Sequence, residues 1–123
     1  MKRDMDLIRD LLLYIENNDS GNYPEVSAES IGSESSQESI LYNYRLLEKA
    51  GYVENGVSTF SSTGAGSLTW AGHDFVDSVR DPEIWREMKD VASKAGRWSI
   101  DLLGELAKGL IKTKIEKHTG VEL

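Results

Sequence analysis

His73, Asp74 and Asp77 form the one grouping in this chain that resembles an acid–base or metal cluster. His73 and Asp77 stand four residues apart, a spacing that puts an imidazole and a carboxylate on one face of a helix. Two such ligands fall short of the three protein side chains that hold a catalytic zinc, so His73 reads as a structural residue. Gly64-Ala65-Gly66 has the glycine density of a phosphate-binding loop but lacks the Lys that follows it there, and reads as a flexible loop tip. No Ser, His and Asp combination has a nucleophile setting. With no Cys in the chain, disulfides, thiolate metal sites and cysteine nucleophiles are excluded. The expectation is a non-catalytic protein with no metal and no cofactor.

Recognition chemistry is more promising. Gln37, Asn43, Arg45 and Lys49 fall within one helical stretch, and amide and cationic side chains of this kind read base edges in a DNA groove. Charge argues the other way. The formal net charge is -7, and from Asp10 through Val79 the only cations are Arg45 and Lys49, set among eleven acids. DNA binders need several Lys or Arg to neutralise phosphates. Glu25, Glu29, Glu34 and Glu38 follow one another with no intervening base, which suits either a solvated face or a docking surface for a basic partner. Lys108, Lys112, Lys114 and Lys117 gather near the other end of the chain, where they complement the C-terminal end of a helix dipole or meet an acidic surface. A protein partner is therefore expected, with sequence-specific DNA as the alternative. A third reading is an acidic inhibitor of a host nucleic-acid enzyme.

The elements that must hold these residues follow from periodicity. Met5, Ile8, Leu11, Leu12 and Ile15 recur at three- and four-residue steps and predict an amphipathic helix, ended by the turn-rich run 17–22 and by Pro24. A short extended segment is expected around Glu25 to Ala28. A second helix between about Ser33 and Ala50 carries Ile40, Leu41, Tyr44, Leu46 and Leu47 and stops at Gly51. Tyr52 to Leu68 reads as a two-stranded wing, bent or turned at Asn55-Gly56. Thr69 caps a short helix whose apolar side is Trp70, Phe75, Val76 and Val79, and Asp81-Pro82 starts another with Ile84, Trp85, Met88, Val91, Ala92 and Ala95. A last helix begins at Ser99, with Leu103, Leu106, Ala107, Leu110 and Ile111 on one face. Trp70, Trp85 and Trp98 are expected to pack in the core or between helices.

This order predicts a mainly α fold with a small β-hairpin: a winged helix-turn-helix domain over residues 1–81. A C-terminal helical extension, 82–123, would pack on it or on a second subunit, allowing a homodimer. No apolar run is long enough to span a bilayer, and the start of the chain lacks a clean signal core, so a cytoplasmic protein with no membrane association is expected.

Two runs carry a family resemblance. Tyr42-Asn43-Tyr44-Arg45-Leu46-Leu47-Glu48-Lys49-Ala50-Gly51-Tyr52-Val53 and Leu68-Thr69-Trp70-Ala71-Gly72-His73-Asp74-Phe75-Val76-Asp77-Ser78-Val79-Arg80-Asp81 resemble the bacterial and prophage-associated family labelled domain of unknown function 2513. The opening Met1-Lys2-Arg3-Asp4-Met5-Asp6-Leu7-Ile8-Arg9 and Trp85 agree with it. The resemblance implies a winged-helix fold, a mobile-element setting and a His at the position of Asn43; it brings no activity with it.

Overall fold

The computed structural model describes residues 1–96 and 100–120, apart from the side chains at 95, 100–104 and 107. The chain divides into two compact units, Met1–Val76 and Asp77–Leu123. The sequence places a break at Asp81-Pro82; the chain passes from one unit to the other inside a helix instead. The architecture is mainly helical with a small antiparallel hairpin, as the pattern predicts.

In the first unit, α1 (Met5–Asn18) begins at the N-cap Asp4, whose carboxylate accepts from the Leu7 N–H, so one of the four unpaired donors of the first turn is satisfied. Its apolar stripe is buried: Ile8, Leu11, Leu12 and Ile15 are at most 1% exposed. Each such side chain contributes roughly 1.5–3 kcal/mol of transfer free energy. The stripe packs on α2 (Ala28–Ile31) and α3 (Gln37–Lys49). Ser27 and Ser36 cap those helices, and Gly32 ends α2 in the left-handed region at φ 72°. The Ser-rich stretch that looks formless in sequence is thus largely capping chemistry. The expected extended segment is present at Glu25-Val26 but stops short of Ala28, which begins α2: Glu25 bridges Gly64, Val26 N–H donates to the Thr63 carbonyl at 2.9 Å, and the Tyr14 hydroxyl donates to the Glu25 carbonyl at 2.8 Å.

The hairpin has two short ladders. β1 (Val53–Glu54) pairs with β4 (Ser67–Leu68), and β2 (Val57–Ser58) pairs with β3 (Thr63–Gly64). Asn55, at φ 62°, bends the strand between β1 and β2. The tip lies at Thr59–Ser62, closed by the Thr59 N–H to the Ser62 carbonyl at 2.8 Å. This corrects the reading of Gly64-Ala65-Gly66 as a flexible tip: Gly64 is in β3, and Ala65 is buried with its N–H donated to the Pro24 carbonyl at 2.7 Å. Glycine is required there by crowding, since a Cβ on Gly66 would collide with the Glu54 carbonyl oxygen.

α4 (Trp70–Val79) starts at Thr69, whose hydroxyl donates to the Gly51 carbonyl and accepts from the Gly72 N–H at 3.1 Å. Its buried positions are Gly72, Phe75, Val76 and Val79. Trp70 stands on the opposite face with Asp74 and Asp77 and is 85% exposed, which overturns its expected place in the core.

In the second unit, α5 (Pro82–Ala95) has Asp81 as N-cap and Gly96 as left-handed C-cap, and it packs against α6 (Ile100–Thr119). Trp85 is buried, with the Lys89 ammonium 6.0 Å from its ring centroid. The expected helix start at Ser99 and the role of Trp98 fall outside the described residues, as do the Leu103 and Ala107 side chains.

Candidate functional site

α3 sorts the four residues expected to read a ligand. Its buried face is Ile40, Asn43, Tyr44 and Leu47, the i, i+3, i+4, i+7 stripe of an amphipathic helix. Asn43 therefore points inward and is fully buried. Its Oδ1 accepts from the Asp4 N–H at 2.8 Å, and its Nδ2 donates to the Ser39 carbonyl at 2.9 Å. That corrects its placement on a reading surface: a buried amide must spend its polar atoms inside the fold. Gln37 is spent as well. Its Oε1 accepts from the Ala28 N–H at 3.0 Å, and its Nε2 donates to the Val26 carbonyl at 3.0 Å, locking the start of α3 to the extended segment and to the first residue of α2. Nothing in the sequence marks either role.

Arg45 and Lys49 remain outward. With Tyr42 they occupy one exposed face of α3, and neither cation has an ion pair among the described residues. Beside this face lies a cleft of about 170 Å³, walled by Gln37, Leu41 and Arg45 on α3, by Glu25 on the extended segment and by Thr59 and Phe60 at the hairpin tip. The Phe60 ring is fully exposed. A second hollow of about 300 Å³ opens on the tip strands, lined by Tyr23, Glu25 and Val57 among others, so Glu25 borders both. Sequence reasoning missed Phe60; its position between Thr59 and Ser61-Ser62, without an apolar partner at strand spacing, is the signal that was available.

Beneath the hairpin, the Tyr44 hydroxyl accepts from the Gly66 N–H at 3.0 Å and donates to the Glu48 carboxylate. Burial pushes its pKa up, the Gly66 bond works against that, and the Glu48 charge adds to the rise. This is a structural latch holding the hairpin on α3.

The remaining candidates scatter. Glu25, Glu29, Glu34 and Glu38 are all exposed, and no ion pair engages them among the described residues. Glu29 and Glu38 lie in the first turns of α2 and α3, where acids favour the helix dipole. Of the α6 lysines, Lys114 pairs with Asp81 and Lys108 with Glu105 at 3.5 Å, so the basic tail is partly consumed within its own unit; Lys112 and Lys117 stay exposed. The Asp81 carboxyl is held below its ordinary range by Lys114 and by the Glu83 N–H, and the Lys114 ammonium is raised by Asp81. His73 and Asp74 are exposed, Asp77 pairs with Arg80 at 2.6 Å, and among the described residues no three His, Cys, Asp or Glu converge as a metal site. No described helix is long and apolar enough to cross a membrane.

The family described as Hypothetical protein (DUF2513) matches residues 2–97. The chain belongs to the DUF2513 family. A Haemophilus influenzae relative described as "Uncharacterized protein" is 32% identical over 117 residues, covering 90% of this chain and 96% of the relative. No solved structure matches. The DUF2513 match takes in all of α1–α5, and with them the α3–hairpin cleft; α6 lies beyond it. Over residues 1–76 the chain carries five Lys and Arg against twelve Asp and Glu, and over 77–123 nine against nine. The whole net charge of -7 therefore belongs to the unit that holds the cleft.

Proposed function

We propose that this DUF2513 chain is a non-catalytic, cytoplasmic interaction module of phage or prophage type, built on a winged helix and binding a protein through α3 and the hairpin tip. The order of α1, a bridged extended segment, α2, α3, hairpin and α4 supports the winged-helix reading. The observation that carries the choice of partner is the hairpin tip. A wing that grips DNA presents cations to phosphate. This one presents an exposed Phe60 flanked by Ser and Thr, above a helix whose Gln37 and Asn43 amides are already bonded internally.

A photo-crosslinking residue in place of Phe60 in the full chain tests this: in the native host it is expected to give protein adducts. The DNA reading keeps one observation in its favour, the outward face of Tyr42, Arg45 and Lys49. Tight, salt-sensitive binding to mixed duplexes, weakened by Arg45→Ala and Lys49→Ala, would overturn the protein reading. An acidic inhibitor of a host nucleic-acid enzyme is a special case of the protein reading, supported by the charge of the first unit. Val91 on α5 and Ile115 on α6 are each about 40% exposed and support a homodimer through the C-terminal helices, which sedimentation equilibrium in the analytical ultracentrifuge would reveal as a concentration-dependent doubling of mass.

A further inference from the structure

Resting on the reading that the partner is a protein, we infer that the cleft between the hairpin tip and α3 takes a cationic segment with an apolar anchor. The anchor seats on Phe60 and Leu41, and a neighbouring Lys or Arg of the segment pairs with Glu25.

Three observations converge on this occupant. The Phe60 ring is fully exposed at the end of a two-residue turn, so it buries nothing in its own unit, and aromatic side chains presented this way serve as interface anchors. Leu41 and Phe60 wall the same cleft, which gives an apolar floor and a lip. Charge then selects the partner. Glu25 borders both hollows beside the tip and has no ion pair among the described residues. Glu29 and Glu38 add negative potential on the adjoining helices, and the unit as a whole carries the net charge of -7. Such a field steers cationic segments in and repels anionic ones, nucleic acid included. Arg45, the one cation on the cleft wall, supplies donors for the backbone carbonyls of an extended segment.

The test uses the full chain and three labelled synthetic peptides: alternating Leu and Lys, alternating Ser and Lys, and alternating Leu and Glu, followed by fluorescence anisotropy. The Leu–Lys peptide is expected to bind, the Ser–Lys peptide about tenfold more weakly, and the Leu–Glu peptide not detectably. Phe60→Ala and Glu25→Gln should each weaken the Leu–Lys peptide by about fivefold or more with the thermal midpoint unchanged. Equal binding of the Ser–Lys and Leu–Lys peptides, or binding indifferent to Phe60→Ala, overturns the proposal, because the attraction would then be diffuse charge alone. Protein adducts at position 60 together with failure of the Leu–Lys peptide would sink this inference and leave the protein reading standing. Duplex DNA that displaces the peptide would overturn both.

Discussion

The Oδ1 of Asn43, in the middle of α3, accepts the backbone N–H of Asp4 at 2.8 Å, so a side chain on one helix anchors the N-cap residue of another. Asn43→Ala takes the acceptor from that part-buried N–H and removes a fully buried amide from α3. The expected cost is about 1–3 kcal/mol, read as a lower urea midpoint with an unchanged slope. A variant as stable as the wild type would mean that Asp4 finds another acceptor.

Tyr44 gives the fold an alkaline limit. Its hydroxyl pKa is raised in the folded state, chiefly by burial and despite the Gly66 N–H bond. A raised folded-state pKa contributes stability that is fully present below the unfolded tyrosine value, about 10, and is lost as pH rises through the folded value. Denaturation midpoints should therefore fall above about pH 10 more steeply in the wild type than in Tyr44→Phe. At neutral pH the same variant should lose about 1–3 kcal/mol, since the Gly66 N–H loses its acceptor. Parallel alkaline profiles for the two proteins would contradict the assignment.

Gly72, in the first turn of α4, sits where a Cβ would strike the Tyr52 carbonyl oxygen. Helix propensity alone favours Ala over Gly by about 1 kcal/mol. The collision reverses that sign: Gly72→Ala should destabilise by about 1–3 kcal/mol, the range for overpacking a tight site. A thermal melt that moves upward would show that the backbone yields.

Asp81 uses both carboxylate oxygens, one on the Glu83 and Ile84 N–H groups and the other on Lys114 of α6. Its pKa is depressed, so its contribution is present above the unfolded aspartate value, about 4, and is lost as pH falls through the folded value. Protection factors of the α6 amides, taken relative to their intrinsic exchange rates, are expected to fall at low pH and in high salt, and Lys114→Ala should remove both dependences. Exchange that responds to neither would leave the pair without a role in holding α6.

Phe60→Ala and Trp70→Ala remove large side chains that the fold does not bury. Both should melt within about 0.5 kcal/mol of the wild type, the usual range for surface substitutions. A larger loss for Phe60→Ala would assign the ring to folding and remove the basis for treating it as an anchor.

Much of this architecture was legible in the residues. The Met5 to Ile15 stripe, Thr69 as a cap, Asp81-Pro82 as a helix start, and Gly51 as a stop are all local devices, and local chemistry is written in adjacent positions. Hydrophobicity alone assigns Trp70 to the core, but phase puts it outside: two residues before Gly72 is the far side of a helix. Asn43 is the converse case, a polar side chain in phase with Ile40, Tyr44 and Leu47 and therefore buried. Its partner, Asp4, is 39 positions away, and no spacing rule reaches that far.

By itself, then, the sequence determined the longer helices, the starts of α4 and α5, the hairpin and the excess of acid over base between Asp10 and Val79. Each of these depends on neighbours along the chain or on bare composition. Only the tertiary structure decided which polar residues are spent inside and which face out. Folding consumed Gln37, Asn43 and Lys114 and left Arg45, Glu25 and Phe60 around one cleft. The physical reason is that a hydrogen bond or a close contact is settled by distance in space, and the extended segment, α3 and the hairpin tip come together only when the core behind them has closed.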